Sequence, residues 1–282
     1  MYNNREDRIR IFEDTMKLIK EDKELSNAVK TSREKTVLYG EGVLSPLPDC
    51  GDSDCRVTVT RARTFEAAIN TRREYTDAKI CVLNFASATT PGGGVTKGSN
   101  AQEESLCRCS TLYPVLNSDI PWQLFYGKNR QRHNPLHTDD CIYTPDIVIC
   151  KSDNDSPKRL TEKERVTVDV ITCAAPNLRE KPGNAYNREY GKSISLSLDE
   201  LYRLHLKRAK HIMHTAALNN ADVLILGAFG CGAFQNDPRT VARAMNDALK
   251  EYRKYFKAVE FAVYCSKRDM SNYNIFSTVI NR

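Results

Sequence analysis

Twice in this chain a short apolar run opens directly into a glycine-rich turn and then into a helix start. The first run is Ile80-Cys81-Val82-Leu83, followed by Asn84-Phe85-Ala86-Ser87-Ala88-Thr89-Thr90-Pro91-Gly92-Gly93-Gly94 and, further on, Ala101-Gln102-Glu103-Glu104. The second is Val223-Leu224-Ile225-Leu226, followed by Gly227-Ala228-Phe229-Gly230-Cys231-Gly232-Ala233-Phe234-Gln235-Asn236. Asp237-Pro238 then supplies an N-cap and a proline at the first helical position. Strands that are apolar without alternation are buried on both faces, so the sheet that holds them needs helices on each side.

The remaining periodicity agrees with an α/β chain. Ile9, Phe12, Met16 and Ile19 mark one face of an N-terminal surface helix whose other face is charged. Ser45 to Asp54 reads as a loop. Arg56 to Thr60 alternates as a strand, and Thr64 is placed to cap a helix carrying Phe65, Ala68 and Ile69. A helical pattern runs from about Ala101 to Tyr113. Val166, Val168 and Val170 alternate as a strand, and Ser197-Leu198-Asp199-Glu200 is a capping box. Leu201, Leu204, Ala209, Ile212 and Ala216 mark the buried face of the helix it opens. Val241, Met245, Leu249 and Tyr252 give the next buried face, and Val259, Phe261 and Val263 a final strand. Pro114 to Arg165 is polar and proline-punctuated, with one interrupted strand at Ile142–Ile149; the rest reads as an inserted surface loop system.

Composition narrows the class. The 282 residues allow one large domain or two small ones, and 40% hydrophobic residues are enough for a core. No run of apolar residues is long enough for a membrane span. The start, Met1-Tyr2-Asn3-Asn4-Arg5-Glu6-Asp7, has no apolar segment of a secretory leader, so a cytoplasmic protein is expected. The ten cysteines are then expected to be free thiols. Cys50 and Cys55 have no second pair at zinc spacing, and Cys107 and Cys109 are too close for one, so no metal is expected. The five histidines, His133, His137, His205, His211 and His214, show no metal spacing either; His211 and His214 read as helix surface. The net charge of +6 permits an anionic partner. Arg130-Gln131-Arg132 and Lys207-Arg208 read as solvated faces that steer a polyanion.

Open α/β sheets bind ligands beyond the carboxyl ends of their strands, where both glycine turns fall. Glycines admit close backbone approach, and a helix start favours an anion. Two such turns can grip a diphosphate from two sides. Neither turn contains the P-loop or the dinucleotide fingerprint, which disfavours an NTPase and a nicotinamide oxidoreductase. Cys231 has no histidine beside it in sequence and reads as a small residue near ligand, not a nucleophile. Glu103 and Glu104 point about 100° apart on a helix, so they cannot face each other across a scissile bond as paired glycosidase carboxylates do.

Gly92-Gly93-Gly94 with Gln102-Glu103-Glu104, the preceding Leu83-Asn84-Phe85-Ala86-Ser87-Ala88 and the second turn resemble the microbial branch of the poly(ADP-ribose) glycohydrolases, which are macrodomains. The resemblance covers residues 1–282, including Ile171-Thr172-Cys173-Ala174-Ala175-Pro176-Asn177. It implies a three-layer α/β/α macrodomain with a mixed central sheet, a single catalytic domain with a helical extension over 1–55 and a long insert over 114–165. It implies Glu104 as the catalytic acid and then base, with Glu103 helping to hold the ribose. Asn84 would lie near the ribose hydroxyls, Gln102 would contact substrate, and Gly93 and Gly94 would bring the carboxylates to the sugar. Gly230, Cys231, Gly232 and Ala233 would form the diphosphate loop, and Phe234 would orient the distal ribose. The implied ligands are ADP-ribose and poly(ADP-ribose), on ADP-ribosylated proteins or nucleic acid, with no metal or organic cofactor. Two alternatives stay open: a hydrolase of mono-ADP-ribose linkages, with the insert setting specificity, and a non-catalytic ADP-ribose reader, against which the glutamate pair argues.

Overall fold

The computed structural model describes residues 4–42, 45–51, 54–183, 192–266 and 269–280. Seven strands are present: β1 (Val37–Tyr39), β2 (Arg56–Thr60), β3 (Ile80–Phe85), β4 (Cys141–Ile149), β5 (Val166–Cys173), β6 (Val223–Leu226) and β7 (Ala258–Ala262). They form one mixed sheet in the order β1-β4-β5-β3-β6-β7-β2. β4 runs antiparallel to β1 and β5, and the other pairs are parallel. β3 pairs directly with β6, Ile80 opposite Val223 and Val82 opposite Ile225. The two glycine turns therefore leave neighbouring central strands at the same end of the sheet.

The unbroken apolar strands follow from burial on both faces. Ile80, Val82, Val223 and Ile225 pack into one core, while Cys81, Leu83, Leu224 and Leu226 pack into another on the opposite face. The first core is covered by α1 (Arg5–Glu21), α2 (Lys23–Lys35), α3 (Thr64–Glu74), α4 (Gln102–Cys109) and α5 (Leu112–Leu116). Asp22 ends α1 and caps α2, accepting from the Leu25 amide. The α3 cap lies one residue earlier than expected: Thr64 is the first helical residue, and the Glu66 side chain bonds the Arg63 amide. The expected helix to Tyr113 is cut at Ser110, which pairs with Ile149 and turns its hydroxyl onto the Leu106 carbonyl.

Residues 114–165 are a correction to the surface-loop reading. Beside the expected strand, which is the nine-residue β4 inside the sheet, they hold α6 (Asp119–Pro121), a π-helical turn at Trp122–Tyr126 and α7 (Gly127–Arg132). Phe125 and Tyr126 are fully buried. The polar composition misled because its charges are paired inward: Lys128 with Asp140, Lys151 with Asp14, and Asp139 with Arg208. The strand is interrupted, as expected, by a register shift between Thr144 and Ile147.

The second core is covered by α8 (Leu198–Leu218), α9 (Pro238–Tyr252) and α10 (Ser271–Ile280). The Ser197–Glu200 capping box and the Asp237 cap are both formed. Two residues of α8 differ from expectation. Arg208 is buried rather than solvated, and His211 is 8% exposed rather than on the surface, its Nε2–H donating to the Tyr39 carbonyl. No described helix is long and apolar enough to cross a membrane. Among the described residues no group of three His, Cys, Asp or Glu side chains is placed to hold a metal ion.

Candidate active site

A cavity of about 860 Å³ opens at the carboxyl ends of the central strands. Both glycine turns line it, together with Glu103 and Glu104. α4 is aimed into this cavity by Gln102. The Gln102 amide donates to the Leu83 carbonyl (2.7 Å) and the Thr64 hydroxyl (3.0 Å), and its oxygen accepts from the Phe85 amide (2.8 Å). Gln102 lines the cavity, but its hydrogen-bonding groups are engaged in pinning the helix to the end of β3.

The two carboxylates are then gripped by the loop after β3. Glu103 accepts from the Ser87 amide at 2.7 Å and from Asn84 Nδ2 at 3.3 Å. Glu104 accepts from the Gly94 amide through Oε1 and the Ala101 amide through Oε2, both at 2.9 Å. Gly93 has φ +57°, and a β-carbon there would stand 2.5 Å from Glu104 Oε1 and 3.2 Å from Glu103 Oε2. Only a residue without a side chain lets the turn close over both acids. Burial pushes the Glu103 carboxyl well above the ordinary range, and the neighbouring Glu104 charge adds to this against the Ser87 and Asn84 hydrogen bonds. Glu103 is 2% exposed and Glu104 7%.

The turn after β6 makes the facing wall. The N–H groups of Gly230, Gly232, Ala233 and Phe234 have no backbone partner among the described residues, whereas those of Cys231, Gln235 and Asn236 are bonded within the turn. Backbone N–H groups left without a backbone partner in one glycine-rich turn can receive an anion. Asn236 holds the turn from behind, its Nδ2 donating to the carbonyls of Pro176 (2.7 Å), Gly230 (3.1 Å) and Phe234 (3.2 Å). Gly230, at φ +79°, leaves no room for a β-carbon, which would meet Ala175 Cβ at 2.6 Å. His205 Nε2 bonds Asn236 Oδ1 at 2.8 Å. Since that oxygen accepts only, Nε2 carries the proton.

Nine of the residues expected at the site line the cavity: Gly93, Gly94, Gln102, Glu103, Glu104, Gly230, Gly232, Ala233 and Phe234. Two do not. Asn84 is fully buried behind Glu103 and reaches the cavity only through it. Cys231 turns its thiol toward the Phe229 carbonyl and packs on the second core; burial raises its pKa, which does not suit a nucleophile.

Other cavity residues gave no signal as motifs. Arg63 stacks at 4.3 Å over the exposed Tyr264 ring and pairs with Asp153 and Asp155. His137 lies 5.8 Å from the Phe234 ring, and its Nδ1–H donates to the Ala175 carbonyl. Burial, with the nearby Arg208 charge, depresses its pKa to about 3. The rule that drew attention to the glycine turns would have found Arg63 and Tyr264 as well, since they follow the ends of β2 and β7.

Residues 7–152 match the family model of the catalytic domain of microbial-type poly(ADP-ribose) glycohydrolase (PARG). Among solved structures, PARG from Thermomonospora curvata superposes with a TM-score of 0.81 at 27% identity, covering 98% of this chain and 100% of that one. The same protein bound to the inhibitor ADP-HPD gives 0.78 at 27% identity, covering 97% and 99%. PARG from Deinococcus radiodurans in complex with ADP-ribose gives 0.72 at 32% identity, covering 90% and 96%. No curated protein matches this chain.

Proposed function

The chain belongs to the family of microbial-type PARG catalytic domains, and from that premise we propose that it hydrolyses the ribose–ribose O-glycosidic bonds of poly(ADP-ribose), with Glu104 as acid and then base. The observation that carries this reading is the convergence of two unlike walls on one cavity: a nest of backbone amides suited to a diphosphate, and a pair of loop-gripped carboxylates beside it. A reader of ADP-ribose needs the first wall and has no use for the second.

In the proposed reaction, the diphosphate accepts from the amides of Gly230, Gly232, Ala233 and Phe234. The distal ribose then lies against Glu103 and Glu104. The Glu104 carboxylic acid gives its proton to the departing ribose oxygen, the bond to the anomeric carbon breaks with its electron pair going to that oxygen, and positive charge develops on the sugar. Water adds to the anomeric carbon and returns its proton to the Glu104 carboxylate. Glu103 holds a ribose hydroxyl, and its burial favours the neutral carboxyl, which relieves repulsion between adjacent acids. Assigning proton transfer to Glu104 rests on its place in the Gln102-Glu103-Glu104 motif and on its greater exposure to the cavity. The Arg63 guanidinium, held by Asp153 and Asp155, and the Tyr264 ring offer a flat stacking wall for the purine.

The test is product release from poly(ADP-ribose) and from mono-ADP-ribosylated peptide, by wild type and Glu104→Ala. Free ADP-ribose released from polymer by the wild type alone is expected. Binding without turnover would make the protein a reader, and release from the mono-modified peptide alone would give it the other linkage.

A further inference from the structure

The Glu104 carboxylate does more than face the cavity. By accepting from Gly94 through one oxygen and from Ala101 through the other, it closes the intervening residues into a small loop. Lys97, Ser99 and Asn100 of that loop line the same cavity as Glu104. Arg108, 3% exposed, holds the loop from behind, donating to the Ser99 carbonyl (2.7 Å) and to Asn100 Oδ1 (2.8 Å). From the other side the first turn of α1 docks onto it, with Arg5 Nε donating to the Lys97 carbonyl and Arg8 Nε to the Gly98 carbonyl, each at 2.6 Å. Arg5 thereby joins the cavity wall. The acids of the same helical turn, Glu6 and Asp7, are paired with Arg10, and no residue from 95 to 100 is acidic. This end of the cavity is thus cationic and polar, braced in advance, and attached to the proposed acid itself.

We propose that Arg5 and the 95–100 loop form a second phosphate seat, which holds the diphosphate of the polymer unit on the leaving side of the scissile bond. The proposal rests on the polymer-hydrolysing reading above. Cleavage between two ADP-ribose units always leaves one unit departing from Glu104, and that unit carries its own diphosphate. The amide nest after β6 is occupied by the other unit, so the departing one needs a different anion site within reach of Glu104. Arg5 and Lys97 supply charge, and the Ser99 hydroxyl and Asn100 amide supply hydrogen-bond donors. A ligand with a single ADP-ribose unit does not reach this seat, so the seat favours polymer over a mono-modified target.

The test compares Arg5→Gln and Lys97→Gln with wild type in steady-state hydrolysis of long poly(ADP-ribose) over a range of salt concentrations. Each variant is expected to raise the polymer KM by about three- to tenfold at low salt. Each is also expected to flatten the dependence of log KM on log salt by about 0.7 for the lost phosphate contact. The inhibition constant of free ADP-ribose, which fills only the nest end, is expected to stay within about twofold. Arg8→Gln is the control: it removes an anchor of the same loop from a residue that does not line the cavity, so the salt slope should stay as in wild type. Polymer KM and salt slope left at wild-type values by both variants would overturn the proposal. So would an equal rise in KM for a mono-ADP-ribosylated peptide, or a slope change in Arg8→Gln equal to that in Arg5→Gln. A wild type that releases no ADP-ribose from polymer would instead refute the reading of the reaction.

Discussion

Gly93→Ala separates the positioning of the acid from the binding of substrate. The left-handed backbone at Gly93 costs an alanine about 1–2 kcal/mol, offset by about 0.4–1 kcal/mol from the stiffer unfolded chain. The new methyl would lie 2.5 Å from Glu104 Oε1 and 3.1 Å from its Cδ. Ordinary contact needs about 3.5 Å, so the carboxyl must retreat by about 1 Å. The flexible end of the glutamate yields more readily than the turn, and its 2.9 Å bond to the Gly94 amide is lost at about 1.5–3 kcal/mol. Total destabilisation is then about 2–4 kcal/mol, or a fall in Tm of roughly 3–7 °C for a chain of this length. A displacement of that size at a reacting group costs about a hundredfold in rate. Polymer hydrolysis, ADP-ribose titration and thermal unfolding, all read well below Tm, give the comparison. The expected result is kcat down about a hundredfold, with ADP-ribose affinity held within about threefold by the intact nest after β6. A Gly93→Ala protein with the expected loss of Tm and kcat within threefold of wild type would refute the claim that this turn sets the carboxylate.

Two further outcomes follow from the groups beneath the site. Arg208 donates to Asp139 Oδ1 and to the Ala174 and Leu136 carbonyls from a fully buried position; Arg208→Ala leaves the buried Asp139 carboxylate with Lys207 alone and two carbonyls without their donor, and should cost about 3–5 kcal/mol, read by urea unfolding. Burial depresses the pKa of His205 to about 4, against its bond to Asn236, so the unfolded chain takes up a proton near pH 6.5 that the folded chain refuses. That contribution is fully present above pH 6.5 and is lost as pH falls toward 4, by about 3 kcal/mol. His205→Gln should flatten the fall in Tm over that interval, and an unchanged slope would show that His205 does not titrate as its burial requires.

The parts of the fold that could be read in advance are those whose causes are local. Both cap signals, Ser197 with Glu200 and Asp237 with Pro238, open helices where their chemistry places them. β2 and β6 match the expected runs: β6 is apolar throughout because all four of its residues are buried, and β2 alternates because it is the half-exposed edge strand. The misreadings share another cause, which is partners distant in sequence. Arg208 looks like a solvated cation until Asp139 arrives from another segment, and His211 until the Tyr39 carbonyl does. β4, by contrast, is legible as one interrupted strand, because Pro145 and Asp146 break its alternation, the latter at φ +60° with its amide held by Asp169. In the site, glycines and glutamates are visible as motifs, but Asn84 and Cys231 could not be assigned a direction without the sheet register. The wall of Arg63, Tyr264 and His137 is assembled from three separated segments and carries no motif.

The central claim is that Glu104 carries the proton while its neighbour positions the sugar. Its most direct test is the rate of ADP-ribose release from poly(ADP-ribose) by Glu104→Gln, compared with wild type and with Glu103→Gln, at saturating polymer. Glutamine keeps the shape, loses the transferable proton and gives up one of the two backbone amides that the carboxylate accepts from, which thermal unfolding of the same variant reads separately. A fall of about 10²–10⁴-fold is expected for Glu104→Gln, with ADP-ribose still bound, and a smaller loss for Glu103→Gln. Release by Glu104→Gln at the wild-type rate, or a larger loss in Glu103→Gln than in Glu104→Gln, would contradict it.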